Sequence, residues 1–147
     1  MRIFADTNVL FDIFARREPF FASAEKLQIM QEFGDAEIWV SSESFTDIFY
    51  VMSKAFPSHD IQRAFDRSLD FLHVCSVGES ELREALRANW DDLEDAVIYT
   101  CCRNVDADFL LTRDAKGFAQ SQTPALSPEE FFAWLEREHD LVYSGLQ

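Results

Sequence analysis

The chain has 147 residues, of which 48% are hydrophobic, and it contains only 4 glycines and 4 prolines. This length and composition predict a single globular domain over residues 1–147, large enough to bury a core without disulfides or structural metal. A formal net charge of -14 argues against binding nucleic acid through a broad basic face, because neutralising phosphates requires clustered Lys and Arg. It does not exclude a site where carboxylates gather around divalent cations, since the bound metals then reverse the local field.

The sequence also argues against secretion and membrane insertion. The apolar run after Arg2 is too short for a signal peptide, and Asp6 and Asp12 interrupt it. No later segment approaches the length of a membrane span. Cys101 and Cys102 are adjacent, with no second pair at metal spacing, so neither a disulfide framework nor a zinc site is indicated. We therefore expect a cytoplasmic protein with no membrane association.

The first half of the chain alternates between strand and helix patterns. Ile3-Phe4-Ala5 is a short apolar run typical of a buried strand, and Leu10, Ile13 and Phe14 follow at helical spacing. The predicted elements are a strand at 3–5, helices over 7–17 and 19–33, a strand over 37–40, and helices over 42–55 and 60–70.

The second half continues the alternation and ends in a well-marked helix. Ser127 as N-cap, Pro128 at the first helical position and Glu130 three residues after the cap form a capping box. The predicted elements are a strand over 71–77, helices over 80–88 and 92–102, strands over 107–111 and near 124–126, and a helix that starts at 127–128. Such alternation predicts an α/β fold with a parallel sheet covered on both faces.

Acidic residues recur where predicted strands end. Asp6 ends the first strand and Asp114 follows the fourth, and the carboxyl ends of parallel strands lie on one side of a sheet. We therefore expect these carboxylates to converge. A competing interpretation is that Asp6 only caps the next helix, but Thr7 or Asn8 can serve as that cap.

Helical geometry extends the acidic set. Asp92 and Asp95 are three residues apart and share a helix face, and Glu43 and Asp47, four apart, can face one pocket. Lys54 continues that second face and can meet a phosphate. Most acids between positions 79 and 95 fit an exposed surface equally well.

The surface interpretation is stronger for some acids than for others. It is the simpler one for Glu43, Asp91 and Glu94, whereas Asp92 stands between surface and site. Asp12 is assigned to solvent.

Clustered carboxylates repel one another unless a cation or proton compensates them. Ligand sets made only of oxygen suit Mg²⁺ or Mn²⁺. Two such ions, about 3.5 to 4 Å apart, can activate water and stabilise the leaving oxygen in phosphodiester hydrolysis. The sequence thus predicts a metal-assisted hydrolase that needs no organic cofactor.

Three motifs occur in order along nearly the whole chain. Asp6-Thr7-Asn8 after the first strand, Asp92-Leu93-Glu94-Asp95 opening a helix, and Thr112-Arg113-Asp114 after the fourth strand resemble the PIN domain family, especially its small VapC-like toxins. The resemblance implies a three-layer α/β/α sandwich with a parallel sheet of strand order 3-2-1-4-5. It also implies metal-dependent cleavage of RNA that leaves a 5′-phosphate and a 3′-hydroxyl.

The resemblance further implies roles for individual residues. Family members commonly have glutamate at the second acidic position, so Asp47 is one methylene short, and either a metal shifts inward or Glu43 contributes. The implied catalytic residues and Mg or Mn ligands are Asp6, Asp47, Asp95 and Asp114, with Asn8, Thr112, Asp92 and Glu43 in support and Arg113 or Lys54 on the scissile phosphate.

Toxin-like members of the family are silenced by an antitoxin protein and often form homodimers, so the resemblance implies both partners beside the RNA substrate. The phenylalanines Phe45, Phe49, Phe118 and Phe132 can supply an apolar groove for an antitoxin segment, or can belong to the core.

Two rival functions fit the same chain. One is a PIN-like interaction module that is catalytically weak or inactive, which the short Asp47 and the acidic surface favour. The other is a phosphoacceptor signalling domain, but it requires a carboxylate at the end of the third strand, where Cys75-Ser76-Val77 offers none. Catalysis by histidine is disfavoured because the three histidines lie in unrelated contexts.

Overall fold

The computed structural model describes residues 1–144, and the last three residues of the predicted domain lie outside this range. The described residues form one parallel sheet whose strands are β1 (Arg2–Ala5), β2 (Glu37–Ser41), β3 (His73–Cys75), β4 (Phe109–Leu111) and β5 (Ala125–Leu126). The helices are α1 (Thr7–Ala15), α2 (Phe21–Glu32), α3 (Ser42–Met52), α4 (Ser58–Ser68), α5 (Glu79–Ala88), α6 (Leu93–Asn104) and α7 (Pro128–His139).

Strand β1 is the centre of the sheet, whose order is β3-β2-β1-β4-β5 with every pairing parallel. Its apolar side chains alternate between the two faces, as a pleated strand requires. Ile3 and Ala5 pack in a core cluster with α1 to α4 and α7, whereas Phe4 packs in a second cluster with α5 and α6. The predicted three-layer sandwich and its strand order are therefore confirmed.

The ends of β1 and β4 determine where polar residues meet. Ala5 is paired with Leu111, and the Asp6 N–H donates to the Leu111 carbonyl at 2.9 Å. The residues that follow the two strands, Asp6 and Thr112, consequently emerge side by side at the carboxyl edge of the sheet.

The structure moves several predicted boundaries. Strand β3 covers three residues rather than the predicted 71–77, because the N–H groups of Phe71 and Leu72 bond to the Ser68 carbonyl and complete the end of α4. A short apolar run does not by itself distinguish strand from helix end. A 3₁₀ helix, Ala115–Phe118, follows β4 where the sequence predicted no element.

The prediction for the first helix cap was wrong. Asp6, not Thr7 or Asn8, is the N-cap of α1. The predicted cap of the last helix is confirmed, since the Ser127 hydroxyl accepts the Glu130 N–H at 3.1 Å. Among the helices within residues 1–144, none is both long and apolar enough to cross a membrane.

Candidate functional site

A cavity of about 310 Å³ opens at the carboxyl edge of the sheet, beyond β1 and β4. Thr7 and Asn8 supply polar groups to its wall, and Phe11, Ile48 and Val51 supply apolar ones. No Lys or Arg from the described part of the chain lines it. The carboxylates that line it are Asp6, Asp47, Glu94, Asp95 and Asp114.

Asp6 is the most enclosed of these carboxylates, with 5% of its surface exposed. One oxygen, Oδ1, accepts the Thr7 N–H at 2.7 Å, and the other, Oδ2, accepts the Thr112 hydroxyl at 2.8 Å. Burial raises the pKa of Asp6, the two hydrogen bonds lower it, and Asp114 and Asp92 raise it further. Asp6 therefore caps α1 and also belongs to the cavity.

Thr112 links two of the predicted site residues. Its hydroxyl donates to Asp6 and accepts the Asp114 N–H at 3.0 Å, and its side chain is buried. Asn8 lies on the other side of the same turn, where its Oδ1 accepts the Arg113 N–H at 3.2 Å. Asn8 and Thr112, two of the four supporting residues predicted from the sequence, thus contact the turn that carries Asp114.

Asp95 enters the cavity from the first turn of α6. Its N–H donates to Oδ1 of Asp92, the N-cap of that helix, at 3.0 Å. Partial burial, followed by the negative charges of Asp92, Asp6, Asp114 and Glu94, raises the pKa of Asp95 to about 7. Burial and these neighbouring acids both favour the protonated form of the Asp95 carboxyl.

Helix α3 supplies Asp47 to the cavity, whereas Glu43 is exposed and is not among the lining residues. Glu94, for which the sequence analysis preferred a surface position, is exposed and also lines the cavity with Asp47. Partial burial and the charges of Asp47, Asp6 and Asp92 raise the pKa of Glu94. Its place in the first turn of α6, beside the sheet edge, was the signal that could have identified it.

The assignment of Asp12 to solvent was wrong, since only 1% of this residue is exposed. Both of its oxygens accept from Arg113, at 2.8 Å from Nε and 3.3 Å from Nη2, and Arg17 Nε lies 3.9 Å from Oδ1. The Arg113 guanidinium also lies 4.2 Å from the centroid of the Phe20 ring. Acidic residues mostly lie in solvent, but the cation that pairs with Asp12 is 101 residues away in the chain.

Neither cation predicted to meet a phosphate lines the cavity. Arg113 is engaged with Asp12, and Lys54 lies beyond the end of α3 with Nζ 4.8 Å from the centroid of the Tyr50 ring. The four phenylalanines predicted to form an apolar groove do not lie together. Phe118 and Phe132 are buried in the core, whereas Phe45 and Phe49 line a separate, shallow apolar cavity together with Phe65.

The donors at the carboxylate cavity are all oxygens, which fits Mg²⁺ or Mn²⁺ better than Zn²⁺. Within residues 1–144, no three His, Cys, Asp or Glu side chains are gathered tightly enough to form a ready-made metal site. Burial, followed by repulsion from the neighbouring acids, raises the pKa of Asp95, and a bound cation would offset both effects. The residues fit a divalent cation in chemistry and in charge.

A family model described as a PIN domain matches residues 2–116 of this chain. No curated protein matches the sequence significantly.

Several solved structures share the fold at low sequence identity. VapBC2 from Rickettsia felis, bound to a promoter DNA fragment, aligns with 18% identity over 86% of this chain and 98% of its own, with a TM-score of 0.63. A toxin-antitoxin complex from Klebsiella pneumoniae aligns with 22% identity over 86% and 97%, with a TM-score of 0.63. VapC20 from Mycobacterium tuberculosis, a toxin that cleaves the sarcin-ricin loop, aligns with 13% identity over 80% and 94%, with a TM-score of 0.65.

Proposed function

This chain belongs to the PIN domain family, and on that premise we propose that it is a metal-dependent endoribonuclease. The observation that carries the proposal is the cavity at the carboxyl sheet edge, where five carboxylates face one another and no Lys or Arg of the described residues lines the wall. Clusters of acids whose pKa is strongly raised are commonly found at functional sites.

Asp6, Asp95 and Asp114 would hold Mg²⁺ or Mn²⁺, with Asp47 completing the set. When bound, the metal supplies an activated water and neutralises charge at the phosphodiester. The chain contributes orientation: Thr7 and Thr112 hold the two Asp6 oxygens, and the Thr112 hydroxyl also holds the Asp114 backbone. Asp95 must lose its proton to act as a ligand, and its pKa of about 7 allows this near neutral pH.

The proposed substrate is RNA, and the proposed partner is an antitoxin protein. Support comes from structures that share the fold, among them a toxin that cleaves the sarcin-ricin loop and a toxin-antitoxin complex. Phe45 and Phe49 on α3, with Phe65 on α4, offer an apolar surface for a partner segment. Because α3 also carries Asp47, a segment bound there lies close to the carboxylate cavity.

We also propose that the protein forms a homodimer. Sedimentation of the purified protein would detect the dimer, and a monomer at all concentrations would contradict the proposal.

The alternative function is an interaction module that retains the fold without cleaving RNA. The exposed position of Asp47, a residue one methylene shorter than the common glutamate, is the observation that favours it.

The deciding experiment is cleavage of a mixed RNA pool with Mg²⁺, Mn²⁺ or EDTA. We expect cleavage by the wild type to require the metal. We expect Asp6→Asn and Asp95→Asn to lower the cleavage rate by more than about 100-fold, because about 100-fold is already the upper limit for losing a residue that only orients a metal ligand. Asp66→Asn, an exposed change on α4, is the matched control and should retain full activity. Equal cleavage by all variants, or cleavage unaffected by EDTA, would reject the metal nuclease.

A further inference from the structure

Gly117 lies in the 3₁₀ helix three residues after Asp114, at a point that the predicted nuclease motifs do not include. It lines a second cavity, of about 170 Å³, that shares Asp95 with the carboxylate cavity. The turn is closed by the Gly117 N–H, which donates to the Asp114 carbonyl at 3.2 Å. Gly117 therefore lies in the second cavity beside Asp95, the residue that the two cavities share.

Space, not backbone conformation, is what requires glycine at this position. The φ angle of Gly117 is outside the left-handed region, unlike that of Gly34 at +77°. A Cβ built on Gly117 would lie 2.5 Å from Asp95 Oδ2 and 3.2 Å from Asp114 Oδ2. The first contact is closer than real Cβ atoms approach oxygen, so a side chain here forces a neighbour to move.

The carboxylate of Asp95 is the group that must give way. It is the end of a short side chain in the first turn of α6, whereas the backbone around Gly117 is tied to Asp114 by its turn hydrogen bond. Rotation of Asp95 about its side-chain bonds is the lower-energy response, because moving the backbone would break that bond.

We propose that Gly117 is a positioning residue for the acidic site: its missing side chain allows Asp95 and Asp114 to bring one oxygen each to the same patch of backbone. The expected effect on metal binding rests on the proposed metal-dependent function, since the spacing of the two carboxylates determines how well they hold a divalent cation. A methyl group at position 117 would displace Asp95 while all the acidic residues remain present.

The primary test is Mn²⁺ binding, followed by electron paramagnetic resonance of the free ion. We expect Gly117→Ala to weaken Mn²⁺ binding about 10-fold or more, as loss of orienting contacts does at other metal sites. Gly78→Ala is the matched control, because a Cβ there meets only Glu81 Oε2, at 3.2 Å, on the exposed start of α5. Unchanged affinity in Gly117→Ala, or an equal loss in Gly78→Ala, would overturn the inference.

A second measurement shows whether the effect passes through Asp95. In an Asp95→Ala background the 2.5 Å clash is absent and only the 3.2 Å contact with Asp114 remains, so adding Gly117→Ala should cause little further loss of Mn²⁺ affinity and should leave folding intact. If Gly117→Ala alone does not fold, recovery of folding in the double variant supports the inference, and failure to recover contradicts it.

A crystal structure of metal-free Gly117→Ala separates this inference from the proposed function. A displaced Asp95 carboxylate supports the positioning role, and an unmoved one rejects it, whether or not the wild type binds metal. If the wild type binds no Mn²⁺ at all, the proposed metal site fails, and the position of Asp95 in that crystal structure still decides the role of Gly117.

Discussion

Two groups of charged residues lie beside the ends of β1 and β4, and they are built in opposite ways. The carboxylate cavity contains Asp6, Asp95 and Asp114 without a lining cation from the described residues. The arginine cluster, defined as Asp12, Arg17 and Arg113, encloses one carboxylate between two guanidinium groups. Arg113 and Asp114 are adjacent in sequence, yet each belongs to a different group.

The neighbouring charges act on the pKa of the carboxylate in opposite directions in the two groups. Burial raises the pKa of both Asp12 and Asp95. At Asp12, Arg113 and Arg17 oppose that rise, whereas the charges that act most strongly on Asp95 are all negative and its pKa reaches about 7. The chain itself supplies cations to Asp12, whereas a carboxylate left among like charges is suited to bind a cation from solution.

Removing the principal cation of the arginine cluster should have the largest effect on stability. Arg113→Met leaves the buried Asp12 with only Arg17, 3.9 Å away, and breaking a buried pair costs about 3 to 5 kcal/mol. Urea unfolding would measure the loss. Arg63→Met, which removes an exposed ion pair with Asp60, should cost at most about 1 kcal/mol. Similar losses for both variants would contradict the structural role of the cluster.

Thr112 offers a smaller perturbation of the cavity. Thr112→Val removes the hydroxyl that donates to Asp6 and accepts from the Asp114 N–H, and we expect a loss of about 1.5 to 3 kcal/mol, typical of hydrogen bonds to charged groups. RNA cleavage should also fall about 10- to 100-fold. Thr46→Val, at an exposed position on α3, is the control and should change stability by less than about 0.5 kcal/mol. Unaltered cleavage in Thr112→Val would show that Asp6 needs no orienting partner.

The smallest effect is the pH dependence of stability in EDTA. The folded pKa of Asp95, about 7, lies above its ordinary value of 3.8, so the folded state holds the proton more tightly than the unfolded state. The resulting stabilisation is fully present below about pH 4 and is lost as pH rises through 7. Asp95 is partly exposed, so solvent screening makes the change modest.

Urea unfolding at pH 5 and pH 8 in EDTA would measure this dependence, and Asp95→Asn should reduce it. Asp66→Asn should behave like the wild type. Added Mn²⁺ should stabilise the wild type more at pH 8 than at pH 5, because metal binds the deprotonated carboxylate. The same slope in Asp95→Asn as in the wild type would show that Asp95 is not the group responsible.

Local sequence patterns were sufficient for much of the fold. The strand cores and the Ser127 cap depend on residues close together in the chain, so their patterns identified them, although boundaries such as that of β3 moved by several residues. Asp6, Asp47, Asp95 and Asp114 all line the cavity, where strand ends, helical spacing and the family resemblance together placed them. Their role as metal ligands stays a prediction.

Contacts between distant segments were beyond the reach of those patterns. The general exposure of acidic residues could not tell that Asp12 is buried against Arg113, or that Glu94, although exposed, lines the cavity. Gly117 carried no signal at all, because its importance depends on where Asp95 lies after α6 packs on the sheet.

The sequence by itself determined the alternating strands and helices and the acids that end them, because hydrophobic period and capping chemistry act between near neighbours. Only the tertiary structure decided which carboxylates received a cation from the chain and which, like Asp6 and Asp95, were left facing other acids. The physical reason is that burial and Coulomb interactions depend on distance in space, and the parallel sheet brings together strand ends that are about a hundred residues apart.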